Sequence, residues 1–135
     1  MNTQTNRKFD LEDRLVDFGV SIVDITESIV NSRAGNHLAG QIVRSGTSPA
    51  LHYGEAQSAE SRNDFIHKLK VLLKELRETN AALKLIKKAK LSPKIDLLDK
   101  AAKECNELIS IFMKSVETAR RNNQKSKKDK EKGDA

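Results

Sequence analysis

Residues 11–29 read LEDRLVDFGVSIVDITESI. Within them Leu11, Leu15, Phe18, Ile22, Ile25 and Ile29 recur at alternating steps of four and three. That spacing lines one side of an α-helix and does not fit the two-residue alternation of a strand. It marks the seam of a helix packed at a shallow angle on its neighbours. Val16, Val20, Val23 and Val30 fall outside the seam and widen the apolar surface, so this helix is expected to touch more than one partner. Asp10 stands where an N-cap is needed, with Glu12 and Asp13 in a first turn whose dipole favours anions.

Downstream the same period recurs three times. After Asn31-Ser32-Arg33 a second helix is expected from Ala34 or Gly35 to about Gln57, with Leu38, Ile42, Val43, Leu51 and Tyr53 as its apolar positions. Its many small residues, Gly46 among them, permit close approach of another helix, and Pro49 predicts a kink because proline lacks a donor and crowds the preceding turn. Ser61-Arg62-Asn63-Asp64 has the form of a capping box, with an acidic side chain slightly short for the reciprocal bond. Phe65, Leu69, Leu72, Leu76, Leu83 and Ile86 continue as a third seam. Ser92-Pro93 reads as N-cap and first-turn proline of a fourth helix whose inner face runs from Ile95 through Leu98, Cys105 and Phe112 to Ala119. Four helices with short connections predict an all-α, antiparallel up-and-down four-helix bundle with its second helix kinked.

Composition agrees. In 135 residues, charged side chains make up 33% and aromatics 4%, a balance that suits helices better than sheets. The expected organisation is a flexible N-terminus at 1–9, a bundle at 10–119 and a disordered basic tail at 120–135. From Arg120 onward seven basic residues face three acidic ones, so the tail holds +4 of the formal +6. With no apolar residue before its final Ala, it has nothing to bury against its chain entropy. No apolar run approaches the roughly 18 residues that span a bilayer, and the lone Cys105 suits a reducing compartment. A cytoplasmic protein without membrane association is expected.

Sites of chemistry are sparse. Di-metal bundles use Glu-x-x-His pairs; here Asp64-x-x-His67 is the nearest pattern, and His37 and His52 lie elsewhere. Cys105 falls at a core position, and the glycines form neither phosphate-binding loop pattern. No catalytic residue, metal or cofactor is therefore expected, and the chain is read as not an enzyme. One polar constellation stands out: Arg44, Ser45, Thr47, Ser48, Tyr53 and Glu55 on the second helix, and Asp64, Lys68, Lys74, Glu75, Glu78 and Thr79 on the third. Antiparallel packing brings the two sets into one seam, with a solvated face as the plain alternative. Glu75 and Glu78 share a face, where like charges require a cationic neighbour.

Within these residues, Arg44-Ser45-Gly46-Thr47-Ser48, Tyr53-x-Glu55-Ala56, Ser61-x-x-Asp64-Phe65-Ile66-x-Lys68-Leu69 and Lys74-Glu75-x-x-Glu78-Thr79 follow in one order. Together with Phe9-Asp10-Leu11-Glu12 and Ala34-Gly35-x-x-Leu38-Ala39-x-Gln41, the chain over residues 9–119 resembles the four-helix bundle proteins also called 23S rRNA intervening-sequence proteins. The resemblance implies an antiparallel bundle assembled as a homopentameric ring. A related accessory protein pairs with a reverse transcriptase and contacts nucleic acid. Two departures stand in this chain: His52 where members commonly have Asn, and Ala81-Ala82 where they have an aromatic pair.

Two functional readings follow. The first is a non-enzymatic oligomeric scaffold or accessory factor that contacts rRNA, DNA or a nucleic-acid enzyme through Lys84, Lys87, Lys88, Lys90, Arg120, Arg121, Lys125, Lys127 and Lys128. The second is a protein-protein interaction module with no nucleic-acid role, which the extra valines of the first helix favour.

Overall fold

The computed structural model describes residues 7–133 as four α-helices with no strand among them: α1 (Arg7–Ser28), α2 (Arg33–Gln57), α3 (Arg62–Lys88) and α4 (Ile95–Gly133). Each helix packs on its neighbours in sequence, and α1 closes on α4 through a narrower contact, so α1 lies diagonally across from α3. The expected seams form most of the core: Leu15, Phe18, Ile22 and Ile25 meet Ile42, Leu69, Leu72, Leu76, Leu83, Ile86, Leu98 and Phe112, all buried, joined by Leu108, while the expected Ile95 is exposed. No helix among the described residues is long and apolar enough to cross a membrane.

Several helix ends depart from the sequence expectation. Asp10 lies inside α1 and is not its N-cap, because the helix already begins at Arg7. Residues 7–9 are thus helical, and the rest of the expected flexible N-terminus lies outside the described residues. Ser92 and Pro93 lie three and two residues before Ile95, the first residue of α4; the Ser92 hydroxyl accepts from the Lys94 N–H at 3.1 Å, a local turn that leads into the helix rather than capping it. The largest correction concerns the tail. In place of disorder from residue 120, α4 continues to Gly133. Arg, Gln, Lys and Glu are good helix formers, no proline or glycine intervenes before Gly133, and the preceding turns supply a ready nucleus. Arg62 donates to the Asn122 carbonyl at 2.9 Å, and Asn123 to Asn63 at 2.8 Å, so the helix is tied to the start of α3 before it runs on.

Caps fix the other turns. Ser32 accepts from the Gly35 N–H at 3.0 Å, and Ser61 from the Asp64 N–H at 3.1 Å. The short Asp64 side chain returns a bond to the Glu60 N–H, one residue beyond the usual capping-box partner. At the end of α3, Lys90 adopts φ +56, and the Lys90 and Leu91 N–H groups bond the Lys87 and Ile86 carbonyls. This is a Schellman closure with lysine at the left-handed position that glycine usually fills. The two turns at this end dock together: Val30 N–H bonds the Leu91 carbonyl at 2.8 Å, and the Ser28 and Ser92 hydroxyls meet at 2.7 Å.

Helix α2 passes through Pro49 as one continuous element. Its glycines divide by environment. A Cβ on Gly46 would stand 2.6 Å from Ile22 Cγ2 and 2.7 Å from Cγ1, whereas one on Gly40 would meet nothing within 4 Å. Gly46→Ala is expected to destabilise the fold by about 1–3 kcal/mol, since overpacking outweighs the gain in helix propensity. Gly40→Ala, gaining propensity alone, is expected to stabilise by about 0.5–1 kcal/mol; thermal unfolding of both variants separates the two effects.

Candidate functional site

The polar seam between α2 and α3 is built around one guanidinium. Arg44 projects from α2 so that Nη1 donates to Glu75 Oε2 at 3.0 Å and Nη2 to Glu78 Oε2 at 2.9 Å. The like charges of Glu75 and Glu78, one turn apart on α3, are thereby relieved. The bond to Glu78 and the charge of Glu75 hold the Arg44 pKa above its ordinary value. One step toward the core, the hydroxyls of Ser45 and Thr79 are hydrogen-bonded at 2.9 Å, and both residues are buried. Thr79 Oγ1 also lies 2.8 Å from the Glu75 carbonyl.

The other motif residues are placed apart from this centre. Thr47 and Ser48 donate to the carbonyls of Val43 and Arg44 in their own helix, each at 2.6 Å. Tyr53 is buried edge-on to Phe112 with ring centroids 5.9 Å apart, and burial, with the charge of Glu12, pushes its phenol up. Glu55 pairs with His52 at 3.6 Å. Asp64 accepts from Lys68 at 3.0 Å; that bond and the Glu60 N–H hold its carboxyl below the usual value. Lys74 joins none of these. The single expected seam is thus three separate features: an Arg44–Glu75–Glu78 clamp with its Ser45–Thr79 bond, a core tyrosine, and a capped helix start.

The expected cationic residues fall in two groups at opposite ends of the bundle. Lys84, Lys87, Lys88 and Lys90 stand at the end of α3, where Lys87 donates to Asp99 at 2.6 Å. Arg120, Arg121, Lys125, Lys127 and Lys128 lie on the last turns of α4, at the end where α3 begins. Arg121, Lys125 and Lys128 recur at steps of four and three and so share one face of the extension. Arg121 is paired with Glu117 at 2.5 Å.

Two further features were not singled out from sequence. Arg14 of α1 donates to Glu104 and, at 3.0 Å, to Glu107 of α4. This second arginine clamp on a Glu-x-x-Glu pair was legible from the spacing that drew attention to Glu75 and Glu78. The other is a groove of about 790 Å³ on the α3/α4 flank, floored by Leu73, Ala81, Met113 and Val116 and rimmed by Lys70, Lys74, Arg77 and Arg120. Glu78 and Glu117 also line it, but each is already engaged by an arginine, Arg44 and Arg121. Among the described residues no group of three His, Cys, Asp or Glu is arranged to hold a metal ion. Cys105 is buried, donates to the Leu76 carbonyl at 3.2 Å, and has its thiol pushed up to about 12 by burial.

The chain matches the family profile described as 23S rRNA-intervening sequence protein over residues 7–115. Among solved structures it is similar to a protein with unknown function from the S23 ribosomal protein family of Bacteroides thetaiotaomicron VPI-5482, known at 1.70 Å resolution. The two are 28% identical with a TM-score of 0.74, over 83% of this chain and 99% of that one. No curated protein matches.

Thr79→Val is expected to cost about 1–2 kcal/mol by leaving the buried Ser45 hydroxyl without its partner. Adding Ser45→Ala should recover part of that loss, which a double-mutant cycle of denaturant midpoints would show. The Cys105 thiol is expected to resist an aromatic disulfide reagent at pH 8 in the folded protein and to react at once in denaturant; rapid labelling of the native chain would contradict its burial.

Proposed function

We propose that this chain, which belongs to the 23S rRNA-intervening sequence protein family, is a non-enzymatic, self-associating scaffold that contacts nucleic acid or an enzyme acting on nucleic acid. The observation that carries the reading is the helical extension of α4. It carries Arg121, Lys125 and Lys128 on one face, with Lys125 and Lys128 beyond the Asn123–Asn63 bond to α3 and Arg121 just before it. From Asn123 to Gly133 the helix advances about 15 Å, and Arg121, Lys125 and Lys128 are all exposed, so the row is open to phosphates. Cations at the end of α3 offer a second contact region at the far end. The homopentameric ring that the resemblance implies would repeat each region five times, and linked weak contacts gain affinity by multivalency.

The non-enzymatic part of the reading is supported by the state of the one thiol, which is sealed in the core as a small hydrophobe and is a poor nucleophile at a pKa of about 12. A cytoplasmic setting suits that reduced cysteine. A second reading, a protein-interaction module without a nucleic-acid role, is favoured by the exposed Val16, Val20 and Val23 of α1.

Filter binding of 23S rRNA fragments across a salt series tests the first reading against the second. Retention is expected at low salt, falling steeply as salt rises. Replacing Arg121, Lys125 and Lys128 by Gln should weaken binding and lower the slope of log K against log salt by roughly 2 to 3. No retention at the lowest salt would leave only the interaction module.

A further inference from the structure

Two surfaces of the bundle are unfinished, and they are opposites in charge. On α1, Val16, Val20 and Val23 are exposed at steps of four and three, with Val20 at 56%. Beside this stripe runs the row Asp13, Asp17 and Asp24, and Glu27 extends the stripe itself. All four carboxylates are exposed, and none is in an ion pair among the described residues. This face is an apolar ridge edged with exposed negative charge, of which Asp17 shares a hollow with Lys100 and Lys103 of α4. The groove between α3 and α4 has the reverse design. Its floor is apolar, with Met113 half exposed, and Lys70, Lys74, Arg77 and Arg120 on its rim are in no ion pair among the described residues.

Length and position also match. Asp13 to Asp24 and Lys70 to Ala81 are equal steps along their helices, each about 16 Å. Gly19, on the α1 side that meets α2, is nearer the valine stripe around the helix than Arg14, which meets α4. The stripe therefore belongs to the α1/α2 flank, opposite the α3/α4 flank that holds the groove. A ridge and a groove on opposite flanks cannot meet within one chain. They can meet between two copies.

We propose that the acid-edged valine ridge of α1 in one copy seats in the cation-rimmed groove between α3 and α4 of the next. Such a contact is heterologous, so every copy offers one free ridge and one free groove, and repetition closes a ring when each step turns by an equal fraction of a circle. Burying the valines on the groove floor removes apolar area from water, while opposed charges fix the register and exclude ridge-to-ridge and groove-to-groove pairs. The inference rests on the self-association read above and names the surfaces that perform it.

The test is the mass of the full chain in solution, by light scattering and sedimentation equilibrium, with circular dichroism to verify folding. Two single-face variants carry Asp13→Lys with Asp24→Lys, or Lys70→Glu with Arg77→Glu; a third chain carries all four substitutions. Each single-face variant is expected to keep its helical spectrum and to shift its assembly midpoint at least tenfold to higher concentration. The four-substitution chain, with its charges exchanged across the contact, is expected to regain the wild-type mass. Wild-type protein that stays at the 15.1 kDa of one chain overturns self-association itself. An assembled wild type with unaffected single-face variants, or a four-substitution chain that stays small, overturns the pairing of these two faces alone.

Discussion

Ile22 fills the space that any side chain at position 46 would occupy, and the rest of the bundle takes its spacing from that contact. With both residues buried, α1 and α2 meet backbone against side chain, which brings their axes close and leaves no room for adjustment. The consequence for α2 is a division of labour among three consecutive residues. Gly46 faces α1, Ser45 reaches the buried hydroxyl of Thr79 on α3, and Arg44 turns outward to Glu75 and Glu78. Because the three stand on one rigid turn, the approach of α1 also sets where α2 can meet α3.

Two arginine clamps repeat that arrangement across the molecule. Arg44 joins α2 to the Glu75 and Glu78 pair of α3, and Arg14 joins α1 to the Glu104 and Glu107 pair of α4. Exposed ion pairs contribute little to stability, so their significance is register. One fork-shaped cation accepted by two carboxylates a turn apart resists sliding of one helix along the other. The clamp of Arg14 stands where the bundle is least tightly closed, between α1 and α4.

Most of the architecture was legible because it depends on a period. The seams of α1, α3 and α4 name most of the core, and each is a repeat that burial on one side requires; on α4, Ala101 and Leu108 are buried outside the expected face. Helix ends were less legible, since they depend on local chemistry that several residues can satisfy. Asp10 has the right side chain for a cap, but the chain upstream was already helical; Ser92 has it too, but spends it on a turn. The helical extension of α4 was missed because disorder was inferred from a lack of apolar residues, whereas propensity and an existing helix suffice to continue a rod into solvent. In the polar constellation, the pairing of Glu75 and Glu78 with a cation followed from like-charge spacing, and the choice of Arg44 needed the antiparallel register. The separation of Tyr53, Thr47 and Ser48 from that cluster required knowing which way each turn of α2 points. The groove depends on two helices jointly, and a period within one helix cannot reveal it.

The bonds between the turn after α1 and the turn after α3 give the bundle an asymmetry along its length. The α1–α2 and α3–α4 hairpins are joined by the chain at one end, through the short link from Ser58 to Ser61, and latched by hydrogen bonds at the other. A chain hinged at one end and latched at the other behaves as a closed book. To part the covers, the Val30–Leu91 and Ser28–Ser92 bonds must break in the same event, together with the seal of the core between them. The latch makes opening a concerted motion and denies solvent an entry at the end where the two turns meet.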